Sequence, residues 1–442
     1  MNPPGLAHFL VHKYYGGSNA ELRIGGIPVR TIAERYGTPF FLYDRGIIET
    51  KFENLRRCLP EGFEIYYSVK ANPNQAVLSF FLERGCGLEI ASAGEFHQAI
   101  IAGASPRRIL YAGPSKTEDE LEYVLEAGIG EIHVESLREF ERISSICVRR
   151  GLRARLALRI NPGAEAQGGA MRMGGKPAPF GVDEESADLL VDRIFSDPAV
   201  DFRGIHLFAG TQILDHEVVL NQYKKALDIA VRIGRRLMRP LSTIDFGGGL
   251  GIPYFSHETE LDLDALRTGL RELVHDARGN PWLQQTRFVV EPGRFLVGDA
   301  GLYVTKVNDI KVSRGKTFLI VDGGMNHHLA ASGNLGQTIK RNYPVALINR
   351  LTSLPETRVD VVGPLCTPLD VIARDLELPR AEIGDLIGVF QSGAYARTAS
   401  PLGFLSHPAP PEIWIENGKD RLVRRRGTHA DLLTDCIPAP PS

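Results

Sequence analysis

Cysteine is scarce in the 442-residue sequence, which contains only Cys58, Cys86, Cys147, Cys366 and Cys436. No two of these form a Cys-x-x-Cys pair, and an odd number of cysteines does not suit a disulfide framework. The pattern therefore indicates neither a disulfide-stabilised fold nor a structural zinc site. A cysteine that has a function is expected to act as a free thiol.

An excess of charge of one sign is also missing, because 51 lysine and arginine residues face 53 aspartate and glutamate residues. A formal net charge of −2 gives no sign of a polyanion-binding surface, so nucleic acid is not an expected partner. The sequence has no run of about 20 apolar residues, and its start, MNPPGLAHFLVHKYYGG, lacks the segments of a signal peptide. We therefore expect a cytoplasmic protein with no membrane span.

A repeated alternation of apolar and amphipathic segments fills the chain from about Ile32 to Glu291. Each repeat has a short apolar run, a polar break and a longer amphipathic stretch, which is the pattern of a βα series. Repeats of this kind over about 250 residues predict a (β/α)8 barrel, with its active site where strands end and loops begin. The predicted strands are FEIYYSV, GLEIAS, RILYAG, EIHVES, RLALRINP, FRGIHLFAG, STIDFGGG and RFVVEPG.

After Gly293 the pattern changes to β-rich segments such as KTFLIVDGG and DLIGVFQSGAY, separated by glycine and proline. The expected fold class is therefore α/β, with an N-terminal (β/α)8 barrel and a C-terminal, mostly antiparallel β-barrel or sandwich domain. The start of the chain, including ELRIGGIPV, is expected to be strand material that joins the β domain. The predicted divisions are N-terminal strands (1–31), barrel (32–292), β domain (293–425) and a tail (426–442). The Pro-rich end of the tail, DCIPAPPS, is expected to be disordered.

Lys70 ends the first predicted barrel strand, in YYSVKANPN, among aromatic and apolar neighbours. A lysine with a partly desolvated stem at a barrel mouth can lose its proton and form a Schiff base. A lysine that ends a strand is more commonly a solvated surface residue, so Lys70 alone does not establish a function.

A glycine-rich loop, FGGGLGIPY, follows a later strand. Its glycines leave backbone N–H groups free to approach a phosphate, although a tight turn would use the same residues. In VVEPGRFLV, a carboxylate at Glu291 can keep a pyridine nitrogen protonated, and Arg294 can pair with phosphate. The alternative for these two residues is a simple ion pair at the strand end.

Two further candidates lie in the predicted β domain. VVGPLCTPLD presents Cys366 in a Gly and Pro turn, and QSGAYARTAS presents Tyr395 in a glycine turn. Most isolated cysteines are inert core residues, and a buried structural tyrosine is the commoner explanation for a residue such as Tyr395. The adjacent His327 and His328 have no carboxylate at metal-ligand spacing, so no metal site is predicted.

Nine motifs occur in an order that resembles the alanine-racemase-fold decarboxylases that use pyridoxal 5'-phosphate (PLP): YYSVKAN, EIASAGE, LRINP, GIHLFAGTQ, FGGGLG, EPGR, DGGM, GPLC and GAY. This group contains the diaminopimelate and ornithine decarboxylases, and the resemblance covers about residues 30 to 410. It implies a PLP-dependent amino-acid decarboxylase, a carboxy-lyase, that forms a homodimer with composite active sites. Each site would combine the barrel of one subunit with Cys366 and Tyr395 of the other.

The resemblance also implies a role for each site residue. Lys70 would carry PLP as a Schiff base with Glu89 nearby, and Cys366 would protonate the carbanion that remains after carbon dioxide leaves. Glu291 would pair with the pyridine nitrogen, and Arg159 would lie behind the ring. The other implied cofactor contacts are Phe208, Thr211, Gly248, Gly249, Gly251, Gly293, Arg294 and Tyr395.

Departures from the family pattern concern the substrate. Phe208 replaces a histidine that stacks on the cofactor ring, and Thr367 replaces the acidic residue that follows the cysteine and binds a distal ammonium group. A neutral hydroxyl is a poor partner for a desolvated cation, which disfavours free diaminopimelate, ornithine and lysine. Ala330 and Asn334 replace an arginine and a tyrosine that bind the far end of diaminopimelate. Thr367 and Asp370 are the expected substrate contacts here.

MRMGGKPAPFGVDEE, GIPYFSHE, GPLCTPLD, FLSHPAPPEI and VRRRGTHADL add a closer resemblance, to the L-glutamyl-[acyl-carrier-protein] decarboxylases of butirosin biosynthesis and to exosortase-associated decarboxylases. This implies a substrate tethered to an acyl carrier protein through a thioester. A diaminopimelate decarboxylase that makes L-lysine in an altered pocket is the first alternative. A racemase of this fold would place arginine where this chain has Glu291, and a non-catalytic homologue would have lost Lys70 or Cys366.

Overall fold

The computed structural model describes residues 5–17, 20–163, 171–172, 177–208, 210–337 and 339–437. Its backbone contacts divide the chain into two units. The barrel unit comprises residues 51–252 and 259–295, and the β unit comprises residues 1–50, 253–258 and 296–442. The β unit therefore takes in more of the N-terminal segment than the predicted 1–31.

The N-terminal segment begins with a helix, where the sequence led us to expect strand material. Buried side chains at Ala7, Leu10 and Val11 recur with helical spacing, and Gly16 ends the helix in the left-handed conformation with φ 76°. ELRIGGIPV does form strands, in an antiparallel hairpin that pairs Arg23 with Pro28. The elements here are α1 (Leu6–Tyr15), β1 (Arg23–Ile24), β2 (Ile27–Pro28), α2 (Val29–Tyr36) and β3 (Phe40–Asp44).

The barrel unit alternates strands and helices as predicted. Several helices begin at a residue whose side chain accepts a hydrogen bond from the first turn, as Ser92, Thr117 and Ser136 do. The elements are α3 (Arg45–Cys58), β4 (Phe63–Ser68), α4 (Gln75–Glu83), β5 (Gly87–Ile90), α5 (Ala93–Ile101), β6 (Ile109–Tyr111), α6 (Glu118–Glu126), β7 (Glu131–Val134), α7 (Leu137–Arg150), β8 (Ala154–Asn161), β9 (Met171–Arg172), β10 (Val182–Asp183), α8 (Glu184–Ser196), β11 (Val200–Leu207), β12 (Gly210–Thr211), α9 (His216–Leu237), β13 (Thr243–Asp245), α10 (Leu263–Gly279) and β14 (Arg287–Val290).

Parallel strands close into a barrel in the order β8-β11-β13-β14-β4-β5-β6-β7, with β7 paired to β8. The register pairs Ser68 with Glu89, so the chain leaving β4 passes beside a carboxylate on β5. It also pairs His206 with Asp245 and with Arg159. The predicted (β/α)8 barrel is confirmed, and its closure brings polar residues from distant parts of the sequence into one interior.

The β unit is built around one long strand, β15 (Gly301–Ser313), which pairs antiparallel with β3 and with two later strands, Lys316–Val321 and Leu386–Phe390. Two of its strand pairs are parallel and the others are antiparallel, which confirms a mostly antiparallel domain. The remaining elements are α11 (Arg294–Val297), β15 (Gly301–Ser313), β16 (Lys316–Val321), β17 (Val345–Leu347), β18 (Thr357–Val362), β19 (Val371–Leu378), β20 (Leu386–Phe390), β21 (Glu412–Glu416) and β22 (Lys419–Arg424).

Part of the predicted tail is ordered. Arg426 donates hydrogen bonds to the carbonyls of Tyr36 and Gly37, and Thr428 caps a short 3-10 helix, His429–Leu433. The last residues, 438–442, lie outside the described part of the chain. Within that described part, no helix is long and apolar enough to cross a bilayer.

Candidate active site

Lys70 lies in a single 3-10 turn directly after β4, at the carboxyl end of the barrel strands. Its ammonium contacts both oxygens of Glu89, at 2.8 and 2.7 Å. Glu89 is almost fully buried, and Ser68 donates a further hydrogen bond to it at 2.5 Å. The lysine amine is therefore held in one place by a buried carboxylate.

The segment after β14 packs against this lysine turn. The Ser68 N–H donates to the Pro292 carbonyl at 3.2 Å. A Cβ at Gly293 would lie 2.9 Å from the Cβ of Ala71, closer than packed side chains allow. Gly293 thus permits the close approach that brings the EPGR motif beside Lys70.

Glu291 follows β14 and is buried in the barrel unit. Its Oε2 lies 3.4 Å from Nε2 of His206. Its Oε1 makes no hydrogen bond within the part of the chain that the structure describes. Although burial opposes ionisation, the two neighbouring histidines, His206 and His133, hold the pKa of Glu291 well below its usual range. The site therefore contains a buried carboxylate that is an anion with an oxygen available to a ligand.

The glycine-rich loop lies between Glu291 and the segment after β11. A Cβ at Gly248 would lie 2.4 Å from the Glu291 carbonyl oxygen, and one at Gly249 would lie 2.6 Å from the Gly210 carbonyl oxygen. Gly249 also has φ +108°, a conformation that other residues rarely adopt. Gly251 donates its N–H to Ile213 at 2.9 Å. The loop is held at its backbone, and larger residues would displace it.

Two other predicted contacts border this loop. Phe208 is half-buried, and its ring lies near the positions where Gly247 and Gly248 would carry a Cβ. Thr211 is half-buried in the short strand β12, next to Gly210. The structure therefore brings Phe208, Thr211, the glycine-rich loop and Glu291 together at one end of the barrel.

Arg159 and Arg294 complete the predicted contacts of the barrel unit. Arg159 lies in β8, two residues before the strand ends, and donates to Glu135 at 2.8 Å, while its guanidinium lies 5.2 Å from the centre of the Phe180 ring. Arg294 begins α11, three residues beyond Glu291. Both side chains come from the carboxyl ends of strands, where the loops of a barrel build its site.

The β unit carries the other predicted residues. Cys366 is an exposed free thiol, and Tyr395 is half-buried with φ 52°, an unusual backbone conformation for a tyrosine. The Thr367 hydroxyl accepts the N–H of Leu369 at 3.3 Å. Asp370, expected to contact substrate, is buried and accepts backbone N–H groups with both carboxylate oxygens.

Sequence reasoning missed a cluster of ionisable side chains inside the barrel. Glu131 and His133 of β7, His206 of β11 and Asp245 of β13 are all buried close to Glu291. Ligand atoms of His133, His206 and Glu291 lie within 4.8 Å of one another, although no metal site is predicted from the sequence. The available signal was the polar residues at alternate positions of EIHVES and within GIHLF and TID, in strands that are otherwise apolar.

The barrel unit offers the groups that PLP requires. Lys70 supplies an amine, Glu291 an anionic oxygen for a pyridine nitrogen, and the glycine-rich loop a close backbone approach for a phosphate. These observations fit PLP at the carboxyl end of the barrel.

The family profile described as "Pyridoxal-dependent decarboxylase, pyridoxal binding domain" matches residues 45–298. The chain therefore belongs to the pyridoxal-dependent decarboxylases. It is a PLP-dependent carboxy-lyase that acts on an amino-acid substrate, and the predicted cofactor and reaction class are confirmed.

Relatives match along nearly the whole chain. The L-glutamyl-[BtrI acyl-carrier protein] decarboxylase of Niallia circulans is 39% identical over 92% of this chain and 95% of its own. A diaminopimelate decarboxylase of Methanothermobacter thermautotrophicus is 36% identical over 93% of this chain and 95% of its own. The crystal structure of diaminopimelate decarboxylase from Helicobacter pylori complexed with L-lysine has a TM-score of 0.82 at 30% identity, covering 92% of this chain and 98% of that one.

Proposed function

We propose that this decarboxylase removes the α-carboxylate of an aminoacyl group, glutamyl or similar, that is tethered to an acyl carrier protein. The observation that carries the proposal is the segment 363–370 around Cys366. Its one carboxylate, Asp370, is buried and accepts backbone N–H groups with both oxygens, and Thr367 stands where an acidic residue would bind a distal ammonium. A substrate without a free cationic end suits this segment.

The 39% identity to a decarboxylase named for a carrier-bound glutamyl group supports this choice. The alternative is decarboxylation of free meso-diaminopimelate to L-lysine, which the 36% identity to a diaminopimelate decarboxylase supports. Both substrates present an α-amino group and an α-carboxylate to the barrel. The alternatives differ in how the far end is bound and in the α-carbon, which is L in an L-glutamyl group and D at the end of meso-diaminopimelate that is lost when L-lysine forms.

In this proposal each side chain of the barrel unit has a defined task. Lys70 would hold the cofactor covalently, Glu89 would keep the lysine amine in place, and Glu291 would pair with the pyridine nitrogen. Phe208 and Arg159 would contact the cofactor ring. The phosphate contacts are assigned to Thr211, Gly248, Gly249, Gly251, Gly293 and Arg294, together with the partner subunit's Tyr395.

When bound, PLP supplies an aldehyde that takes up an amine and a ring that accepts the electrons left when carbon dioxide departs. Cys366 would return a proton to the substrate carbon, because an exposed thiol can act as a general acid there. We further propose a homodimer in which the partner subunit's Cys366 and the partner subunit's Tyr395 complete each site.

Carbon dioxide release from the PLP-loaded protein tests the substrate. We expect turnover of glutamyl-loaded carrier protein, and rates at least a hundredfold lower with free diaminopimelate, ornithine, lysine or glutamate. Turnover of diaminopimelate at an ordinary enzymatic rate, with none of the carrier-bound substrate, would establish the alternative. Lys70→Ala, which lacks the amine, should show neither activity nor the absorbance of covalently held cofactor.

A substitution at position 367 tests the observation itself. Thr367→Glu restores an acidic residue, and we expect it to raise activity on free diaminopimelate or lysine at least tenfold while lowering activity on the carrier-bound substrate. Thr367→Gln has the same length without the charge, so it serves as the matched control. Equal effects of both variants would show that size, and not charge, governs the choice.

Mixing inactive subunits tests the composite site. Lys70→Ala and Cys366→Ala homodimers should each be inactive, whereas a mixed dimer contains one site with both residues intact. We expect the mixture to regain about a quarter of the wild-type activity after random re-association. No recovery from demonstrably mixed dimers would place both residues of a site in one subunit.

A further inference from the structure

The barrel interior holds five ionisable side chains where an ordinary barrel is filled by apolar ones. Glu131 and His133 alternate along β7, while His206, Asp245 and Glu291 come from β11, β13 and the end of β14. None is more than 5% exposed. Because β7 is not a neighbour of β11 or β13 in the sheet, these side chains meet across the interior.

His133 occupies the middle of this group. Its Nε2 lies 3.4 Å from Glu131 Oε1 and 3.8 Å from Asp245 Oδ2, and its Nδ1 lies 4.0 Å from Glu291 Oε1. Its ring lies 4.4 Å from the ring of His206, centre to centre. One ring nitrogen therefore faces two carboxyl groups, and the other faces the carboxylate assigned to the cofactor.

Within the described part of the chain, neither ring nitrogen of His133 or His206 meets the distance and angle of a hydrogen bond. One oxygen each of Glu131, Asp245 and Glu291 is also unsatisfied. Buried polar atoms are normally hydrogen-bonded, so a group of them facing one another indicates shared protons or a bound ligand.

Charge limits how these protons can be arranged, since three buried carboxylates cannot all be anions without compensation. Burial raises the pKa of Asp245 well above its usual value, with Glu291 adding to the effect, which favours the neutral acid at Asp245. Burial lowers the pKa of His206 to about 4, so this ring is neutral at pH 7. The Arg287 guanidinium lies 3.6 Å from Glu131 Oε2 and compensates part of that charge, while the His133 ring stands between Glu131 and Glu291.

We propose that His133 is a positioning residue that links Glu131 and Asp245 to Glu291 through its two ring nitrogens and keeps Glu291 an oriented anion toward the cofactor's pyridine nitrogen. This inference rests on the role proposed above for Glu291. In this inference His133 touches neither substrate nor cofactor, and it acts only through the carboxylate of Glu291. On the other side, Nε2 of His206 lies 3.4 Å from the second oxygen of the same carboxylate.

His133→Phe tests this role because phenylalanine keeps a ring of similar size and removes both nitrogens. We expect the variant to bind a full complement of PLP, to lose roughly ten- to a hundredfold in kcat, and to change KM less than about threefold. The pH at which the absorbance of the bound cofactor changes should shift by about one unit or more. The control is Ile132→Val, a small packing change at the neighbouring residue of the same strand, which should alter none of these quantities.

A double-variant comparison separates this inference from the proposed function. If His133 acts through Glu291, Glu291→Gln with His133→Phe should be no slower than Glu291→Gln alone. Multiplying losses would overturn the link, and so would an unchanged absorbance titration combined with a lower Tm. If Glu291→Gln alone leaves activity and absorbance intact, the role proposed for Glu291 is wrong, whatever the result for His133.

His133→Asn is the second variant should the phenylalanine destabilise the barrel, because it retains one N–H and should recover part of the lost kcat. Metal analysis of the purified wild-type protein completes the test. One equivalent of zinc, lost in His133→Phe, would overturn the proposal and assign the cluster to a metal.

Discussion

Replacing Asp370 with asparagine would test how the β unit shapes the segment that carries Cys366. Asp370 Oδ1 accepts the Met325 N–H at 2.6 Å, and Oδ2 accepts the Leu365 N–H at 2.9 Å. Asparagine has a single acceptor oxygen, so its NH2 group must face one of these two donors. The change therefore removes one hydrogen bond and places the new NH2 group against a backbone N–H, while the shape of the side chain stays nearly unchanged.

Two effects of opposite sign compete in this variant. The lost charge-assisted hydrogen bond and the unsatisfied N–H cost roughly 2–4 kcal/mol. Burial raises the pKa of Asp370, so removing the charge relieves part of a desolvation cost. We expect the lost bond to dominate, because the carboxylate cannot move: a Cβ at Gly324 or Gly363 would lie 2.2 or 2.3 Å from its oxygens.

The predicted destabilisation is measurable as heat stability and as thiol reactivity. At roughly 2–4 °C per kcal/mol for a domain of this size, the Tm of the β unit should fall by roughly 5–15 °C. Alkylation of Cys366 should change severalfold in a Cys436→Ser background, since the other cysteines are buried. The loss in kcat should exceed any rise in KM, and Asp309→Asn, an exposed aspartate of the same unit, is the control.

The opposite result has a clear meaning. If Asp370→Asn leaves the Tm and the alkylation rate unchanged or higher while KM rises tenfold or more, Asp370 contacts the substrate directly. That is the role expected from the sequence. The hydrogen bonds to Met325 and Leu365 would then be incidental to the position of Cys366.

Three further predictions follow from single contacts. Gly248→Ala places a Cβ 2.4 Å from a backbone carbonyl, so bound PLP measured by absorbance should fall severalfold, whereas Gly279→Ala, with nothing within 4 Å, should retain it. Burial raises the pKa of Glu95 to about 7. The protonated carboxyl therefore stabilises the folded state fully below pH 4.5, and this stabilisation is lost as the pH rises through 7. The free energy of unfolding in urea should therefore fall by roughly 1–3 kcal/mol between pH 5 and 8.5, and an equal fall in Glu95→Gln would contradict this assignment. Lys116→Met leaves buried Glu139 without the ammonium 2.6 Å away, and should cost roughly 3–5 kcal/mol by denaturant titration.

The features that sequence could predict are those written in local patterns. Alternating apolar and amphipathic segments predicted every strand of the barrel, because each βα repeat is encoded within about thirty residues. The position of Lys70 at a strand end followed from YYSVKAN, and the pairing of Ser68 with Glu89 then brought the carboxylate to the amine. Here the local pattern and the barrel geometry together determine the contact.

The features it could not predict depend on distant pairings or on short, ambiguous segments. The helix Leu6–Tyr15 is only ten residues long, and a short segment rich in apolar residues suits a strand nearly as well. The approach of His133 to Asp245 requires the closed barrel, since β7 and β13 are not adjacent in the sheet. The bond from Asp370 to Met325 spans 45 positions of chain and leaves no trace in either motif.

The strand β3 lies between β15 and β21, hydrogen-bonded to both, although it precedes them by more than half the chain. A ribosome adding roughly 5–20 residues per second would synthesise Phe40–Asp44 tens of seconds before either neighbour emerged. In that interval the barrel unit is translated between the separated parts of the β unit. A gene fragment that begins at the barrel unit would therefore express a β unit that lacks β3, with the facing edges of β15 and β21 unpaired. Supplying the N-terminal fifty residues as a separate chain would be the way to restore that strand.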